Sequence, residues 1–249
     1  MRQITTILAI TASFAATAQA WAAPLPDPVH LVTAVDALRL PPFDNARSSM
    51  RITTSGQAGA RSYGYTVFSR DAGERSLVLA MDGDQKGQKY LSTPQGYWFY
   101  APRTRRAIRM TPLQVLRGQA SIGDVARLRF ADDYVIAFAP QPETQVDGET
   151  CWAITLKAKS DRATYASAIL WVRKAGGSPV KADLSSLSGR KLKTMLFDRA
   201  ITEGGRSAIR TVTYVDGVNP AKQTKVEILS IVAASSAVAV FRPEALALD

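Results

Sequence analysis

From residue 51 to residue 232 the chain repeats one pattern: short runs in which apolar and polar residues alternate, separated by polar turn sequences such as "DAGE", "DGDQKG", "TPQG" and "KAGGSP". Successive side chains of an extended strand point to opposite faces, so period-two alternation bounded by glycine, proline and aspartate marks strands joined by tight turns. The spacing predicts strands at 51–55, 63–70, 75–81, 89–92, 97–101, 107–111, 134–139, 150–158, 168–173, 180–186, 192–200, 208–215 and 224–232. With some of these failing or merging, about eleven strands are expected. Connections this short make neighbouring strands antiparallel.

Two segments break the pattern. "PDPVHLVTAVDALRL" places Asp27 as a helix cap, Pro28 in the first turn and Leu31, Val32, Val35 and Leu38 along one side, with Pro41 and Pro42 as the stop. "TPLQVLRGQASIGDVARLRF" holds two short helices, with Thr111 and Ser121 as caps and Asp124 in the box position three residues after Ser121. The expected class is therefore α+β and mainly β. A curved antiparallel sheet forms an unclosed barrel, and the N-terminal helix and the short helices cover its concave face. A chain of 249 residues buries a sizeable core, and no linker or repeat divides it.

The sequence "MRQITTILAITASFAATAQAWAAPLP" begins with Arg2, continues through an apolar run from Ile4 to Ala16, and ends in small residues at Ala18, Ala20 and Ala22. It has the form of a secretory signal peptide over residues 1–22, leaving 23–249 as one domain. The run is short for a membrane span, and no later segment approaches one. No cysteine stands at the end of the signal to take a lipid, and Cys151 is the sole cysteine, so an intramolecular disulfide is excluded. Within its strand, Cys151 reads as a buried, inert thiol.

The net charge of +10, one less once Arg2 is removed, suits anionic membrane surfaces, head groups or acidic partners. Export and the lack of a recognition helix argue against nucleic acid. Catalytic constellations are scarce. The sole histidine, His30, lies on the first helix, where a surface or packing role is favoured, and neither a His-bearing triad nor a multi-histidine metal site is expected. "DGDQKG" resembles a calcium loop only in Asp82 and Asp84, since Lys86 takes the third ligand position, and a polar turn is favoured. Asp132 and Asp133 are adjacent and point apart. No enzyme and no cofactor are expected, although carboxylates distant in sequence could still pair.

Apolar surface exceeds what one core face needs. In "YWFY", Tyr97 and Phe99 oppose Trp98 and Tyr100. In "AILWV", Ile169 and Trp171 oppose Leu170 and Val172, and in "KTMLF", Met195 and Phe197 oppose Leu196. A central strand covered on both faces gives this pattern, and so does a sheet whose concave face lines an apolar cavity.

"GYWFYAPRTRRAIRM" resembles the segment of bacterial outer-membrane lipoprotein-sorting proteins, the LolA-like family, in which a Trp-aromatic-Tyr strand ends at a proline and an arginine pair opens a basic strand. "AILWVRKAGGSPVKADLSSLSGRKLKTMLF" is similar to the family's Trp-containing hairpin, and "TKVEILSIVAASSAVAVFRPEALALD" to its last strand and Phe-led tail. "LRGQASIGDVARLRFADDY" keeps Gly118, Gly123 and Asp124 of the family's lid region but lacks the aromatic residue after the acid. The resemblance implies a LolA-like carrier domain over 23–249, monomeric and periplasmic. Its cargo would be lipoprotein acyl chains or other lipids, taken from an inner-membrane exporter to an outer-membrane acceptor with transient membrane-surface contact. It implies a lining drawn from Trp98, Tyr100, Ile108, Met110, Trp171, Met195 and Phe197, with the inward face of each strand left open. Arg103, Arg105, Arg106 and Arg109 would meet a head group or an acidic partner, or else form a solvated edge that discourages sheet-to-sheet association. Two other readings stand beside the carrier: an accessory protein that docks on an exporter and carries nothing, and an envelope enzyme acting on lipid or glycan.

Overall fold

The computed structural model describes residues 25–56, 59–203, 206–234 and 238–247; the expected signal peptide lies outside them. Helix α1 (Pro28–Arg39) starts as its sequence dictates: the Asp27 carboxylate accepts the Val29 N–H at 2.9 Å and Pro28 occupies the first turn. It stops at Leu40, which adopts an extended conformation ahead of Pro41 and Pro42.

Seventeen strands are formed among the described residues. On one flank lie β1 (Ala46–Gly56), β2 (Gly59–Arg70), β3 (Arg75–Ala80), β4 (Lys89–Thr93), β5 (Gly96–Tyr100) and β6 (Ala107–Met110). The lid follows: β7 (Val115–Arg117), β8 (Ala120–Ser121), α2 (Ile122–Ala126) and α3 (Phe130–Asp133). No helix starts at Thr111: the chain there folds into the β7–β8 ribbon, turned at Gly118 in the left-handed region, and the second short helix forms later as α3. The second flank comprises β9 (Tyr134–Val146), β10 (Glu149–Ala158), β11 (Ser167–Arg173), β12 (Pro179–Ser185), β13 (Lys191–Phe197), β14 (Ile201–Glu203), β15 (Arg206–Ala208), β16 (Thr211–Asp216) and β17 (Gln223–Ala233).

Thirteen of these strands make one antiparallel sheet in the order β6-β5-β4-β3-β2-β1-β17-β16-β13-β12-β11-β10-β9. The order is a meander whose first and last strands pair at its centre, and which is cut open between β6 and β9. At that cut the chain leaves the sheet and lays the lid over the concave face. The sheet holds thirteen strands rather than about eleven, because the weakly patterned candidates form as well. β7–β8 and β14–β15 add two separate ribbons. β9 runs seven residues past its expected end through Pro140 and Pro142, which an edge strand tolerates because its outer N–H groups need no partner.

The main core lies between sheet and helices. Val32, Val35, Leu116, Ile122, Leu128 and Phe130 on the lid side meet Ile52, Tyr65, Val78, Ile154, Leu170 and Met195 on the sheet. A second, smaller core lies on the convex face, where Leu77, Leu91 and Tyr100 are covered by Phe241 and Leu246 from two 3-10 turns, Val238–Phe241 and Pro243–Ala247. These turns act as a clamp on β3–β6. No described helix is long and apolar enough to cross a membrane.

Candidate functional site

Strict alternation cannot place Ile228 and Ile231 on one face of β17, because they are three residues apart. A β-bulge resolves this: Met50 of β1 pairs with Ile228 and Ser49 with Ser230, leaving Leu229 as the extra residue. Ile231 then faces Ser48, on the same side as Ile228. Across from this pair run Leu38, Leu40, Pro42 and Phe43, the segment that proline stops at the end of α1. With Ala208 and Ile209 they enclose a largely apolar cavity of about 320 Å³, flanked by Arg39, Arg206 and Arg210.

A smaller cavity of about 70 Å³ shares Arg39, Leu40, Ile228 and Ile231 with the first and reaches Met50, Val67, Ala126 and Leu128 beneath the lid. With these walls in common the two hollows lie side by side from the surface to the concave face of β1–β3, and are called the passage below. Its inner wall carries three buried serines. Ser76 Oγ donates to the Ala126 carbonyl at 2.7 Å, while Ser69 Oγ has no hydrogen-bond partner among the described residues.

The lid over this passage is held by polar contacts, some within the lid and others reaching from it to the body. Asp124 and Ser121 complete the capping box expected from sequence. The remaining capacity of the Asp124 carboxylate is filled by Lys193 Nζ of β13 at 3.0 Å and the Tyr165 hydroxyl at 2.6 Å. Lys193 also donates to the Gln119 carbonyl. Burial and the neighbouring Asp124 carboxylate push the Tyr165 hydroxyl well above its ordinary range, so it stays a donor to Asp124 at every physiological pH. Asp36 of α1 accepts the Ala131 N–H of α3 at 2.8 Å and Arg39 Nη1 at 3.0 Å. Desolvation raises its pKa, and the opposing charge of Arg39 offsets that only in part. Arg39 lies over the Phe130 ring at 4.8 Å and the Phe197 ring at 5.8 Å. Arg127 pairs with Asp133 at 2.7 Å and with Glu74 of the β2–β3 turn at 3.3 Å, and Arg129 donates to the Ala72 carbonyl at 2.6 Å. Asp132 and Asp133, adjacent in sequence, therefore each serve a separate arginine.

The residues expected to line one cavity are divided between faces. Met195 and Phe197 are buried on the concave side, in the main core. Met110 and Ile108 share that side through pairing with Tyr97 and Phe99 on the edge strand, where Met110 packs against the core and Ile108 is 53% exposed. Trp98 and Tyr100 face the convex side, in the cluster covered by Phe241 and Leu246. Trp171 also faces away from the lid, packed against Val146, Cys151 and Val180 with Lys181 above its ring. In "YWFY" the inward pair is Tyr97 and Phe99.

The four arginines separate as well. Arg103, Arg105 and Arg106 lie exposed in the β5–β6 turn and make no ion pair among the described residues. Arg109 sits at the other end of β6, donating to the Gln95 carbonyl at 2.9 Å beside a cleft of about 270 Å³ that Arg127 and Arg162 also face. Of the remaining candidates, Cys151 is buried, and burial raises its thiol pKa. In "DGDQKG", Asp82 accepts the Gly64 N–H and Asp84 pairs with Arg117, which uses both carboxylates to fix a turn. Among the described residues no group of His, Cys, Asp and Glu is placed to hold a metal ion. Sequence reasoning missed Met50, Val67, Ile228 and Ile231. The signals were the three-residue spacing in "EILSIV" and the apolar "LRLPPF" running on past the helix stop.

A protein-family model described only as an uncharacterized protein matches residues 73–247. Among solved structures, a LolA superfamily protein from Nitrosomonas europaea superposes with a TM-score of 0.77 at 24% identity, over 86% of this chain and 97% of the other. A DUF1329 family protein from Desulfovibrio piger gives 0.72 at 20% identity, over 89% and 100%. A domain assigned as an outer membrane lipoprotein-sorting protein from Vibrio parahaemolyticus gives 0.72 at 14% identity, over 88% and 98%. No curated protein matches the sequence.

Proposed function

Because the chain belongs to the family whose model spans residues 73–247, and has the fold of LolA superfamily proteins, we propose that it is a non-catalytic periplasmic carrier. It would take acyl chains of lipoproteins or other lipids into the space under its lid and move them between inner and outer membrane. The observation that carries this reading is the passage between the end of α1 and Ile228 and Ile231, apolar at its mouth and sharing its inner wall with a hollow on the concave face beneath the lid. At about 320 Å³ the outer part is at the small end of ligand pockets. A long chain would extend inward only as the lid shifts. Each buried methylene is worth about 0.8 kcal/mol, so entry of roughly half of a long acyl chain offsets the loss of one lid anchor. Protein purified without detergent, extracted with organic solvent and analysed by mass spectrometry is expected to yield stoichiometric lipid or acylated peptide. Reproducibly empty protein, including after incubation with lipid vesicles, would overturn the reading.

The unpaired arginines of the β5–β6 turn favour a second reading: a protein that docks on an exporter at the membrane and carries no cargo. Guanidinium groups free of internal partners are available to carboxylates or phosphates. Reversing Arg103, Arg105 and Arg106 to Glu separates the two. Cargo is retained by such a variant if the chamber is the working part, and activity is lost without any cargo having been bound if docking is.

A further inference from the structure

β1 begins at Ala46 beside the passage and runs to Gly56 at the other end of the sheet, where a series of connections lie side by side. The Gly64 N–H reaches Asp82 of the β3–β4 turn, the Gln119 N–H of the β7–β8 turn reaches Thr224 Oγ1 of β17 at 2.8 Å, and the Gly217 N–H reaches the Leu192 carbonyl at 2.9 Å. Residues 59–61, 81–89, 101–106, 117–119, 186–191 and 216–222 make up this end. They hold ten lysines and arginines against three aspartates. The acids are engaged: Asp82 with Gly64, Asp84 with Arg117, and Asp216 with the Val218 and Asn219 N–H groups of its own turn.

Two aliphatic side chains project from this basic end. Leu187, in the β12–β13 turn, is 97% exposed and Val218, in the β16–β17 turn, 82% exposed. The two hairpins are neighbours, since Lys193 of β13 pairs with Asp216 of β16. Both turns are fixed, one by the Ser186 N–H on the Arg190 carbonyl at 3.0 Å and the other by Asp216. Arg190, Lys191 and Lys222 flank the two tips. Beside them, Arg61, Arg117 and Lys222 face a hollow of about 690 Å³ between the β1–β2 and β16–β17 turns. A protein-binding surface gathers its apolar residues into one patch. Isolated aliphatics on rigid tips within a field of cations instead match a planar interface whose depth is apolar and whose surface is anionic.

We propose that this end of the sheet docks the protein on an anionic phospholipid bilayer, with Leu187 and Val218 entering the interface and the surrounding cations meeting lipid phosphates. The inference rests on the envelope location proposed above only for which membrane is met, and it does not require a cargo. In this orientation the passage, at the opposite end of β1 and β17, faces away from the bilayer and stays open to a protein donor or acceptor.

The test is sedimentation with vesicles of phosphatidylcholine alone and of phosphatidylcholine mixed with phosphatidylglycerol, at low and high salt. The protein is expected to bind the anionic vesicles, more weakly as salt rises. The Leu187→Ser, Val218→Ser double variant should bind about tenfold more weakly or worse, as should Arg190→Glu, Lys191→Glu. Lys174→Glu, on the opposite turn, serves as the control and should leave binding unchanged. In a separate Leu187→Trp variant, tryptophan emission should shift to the blue on mixing with anionic vesicles. Equal binding to neutral and anionic vesicles, unaltered binding by both double variants, or no emission shift on bound protein would overturn the proposal. Lipid recovered from the purified protein alongside a negative vesicle result would leave the carrier reading standing and remove this one.

Discussion

Asp124 and Lys193 form a buried ion pair whose partners come from the lid and the sheet, with side chains 0% and 10% exposed. Removing one member of such a pair leaves an uncompensated charge, at a cost of about 3–5 kcal/mol, whereas replacing both is far less damaging. Lys193→Met alone should lower urea-unfolding stability by about that amount, and adding Asp124→Asn should restore part of it. Simple additivity of the two costs would show that the pair is not coupled. Asp36 gives a pH-dependent counterpart. Its folded pKa is raised above the unfolded value by burial, so the native state binds the extra proton. Its contribution is neutral below the ordinary carboxylate pKa and becomes destabilising as pH rises through and above that value. Asp36→Asn keeps an oxygen to accept the Ala131 N–H and removes the charge. The stability of the variant relative to wild type, from unfolding curves at a series of pH values, should therefore increase with pH; a difference that is flat or falls with pH would contradict the burial argument.

At the scale of elements, what sequence discloses depends on which physical signal is local. Alternation with turn chemistry located every strand of the main sheet, and Asp27 with Pro28 and Ser121 with Asp124 located two helix starts, since caps are local hydrogen bonds. Which face of a strand turns inward is not local when both faces are apolar. Trp98 and Tyr100 have the same alternation as Tyr97 and Phe99, and the choice between them is made by the tail, some 140 residues later, whose Phe241 and Leu246 cover one side. The passage was illegible for a related reason, because a bulge at Leu229 changes the parity of β17 and is set by its register against β1. Changes at this scale have distinct expected outcomes. Gly118, in the β7–β8 turn, has φ of 57° and a Cβ there would lie 2.3 Å from Thr224 Oγ1 and 2.7 Å from Thr54 Cγ2. Gly118→Ala should cost about 1–3 kcal/mol in unfolding stability by displacing the lid ribbon from β17 and β1. Ile231→Asp, at a half-buried site on the passage wall, should leave a folded protein that no longer retains lipid through purification. Undiminished lipid in that variant would place the cargo elsewhere.

For the whole molecule, the sheet separates two principal cores with different duties, apart from the small cluster around Trp171. The concave core is shared between body and lid and must loosen if cargo is to enter, so the rigidity of β3–β6 has to come from elsewhere. The convex clamp supplies it: Phe241 and Leu246 are 3% and 1% exposed and pack on Leu77, Leu91 and Tyr100, with Trp98 at the margin. Complete burial of two such side chains is worth about 1.5–3 kcal/mol each. Deleting residues 238–249 should therefore lower unfolding stability by about 3–6 kcal/mol. It would also expose a continuous apolar patch on the convex face, so the truncated protein should self-associate with rising concentration, as read by light scattering. The passage residues Ile228, Ile231, Leu38 and Phe43 take part in none of the deleted contacts, so lipid retained per folded molecule should be unchanged. Loss of lipid in proportion to the folded fraction agrees with a purely structural clamp. Loss of lipid from molecules that remain folded would instead couple the tail to the chamber, and would mean that the two cores do not act independently.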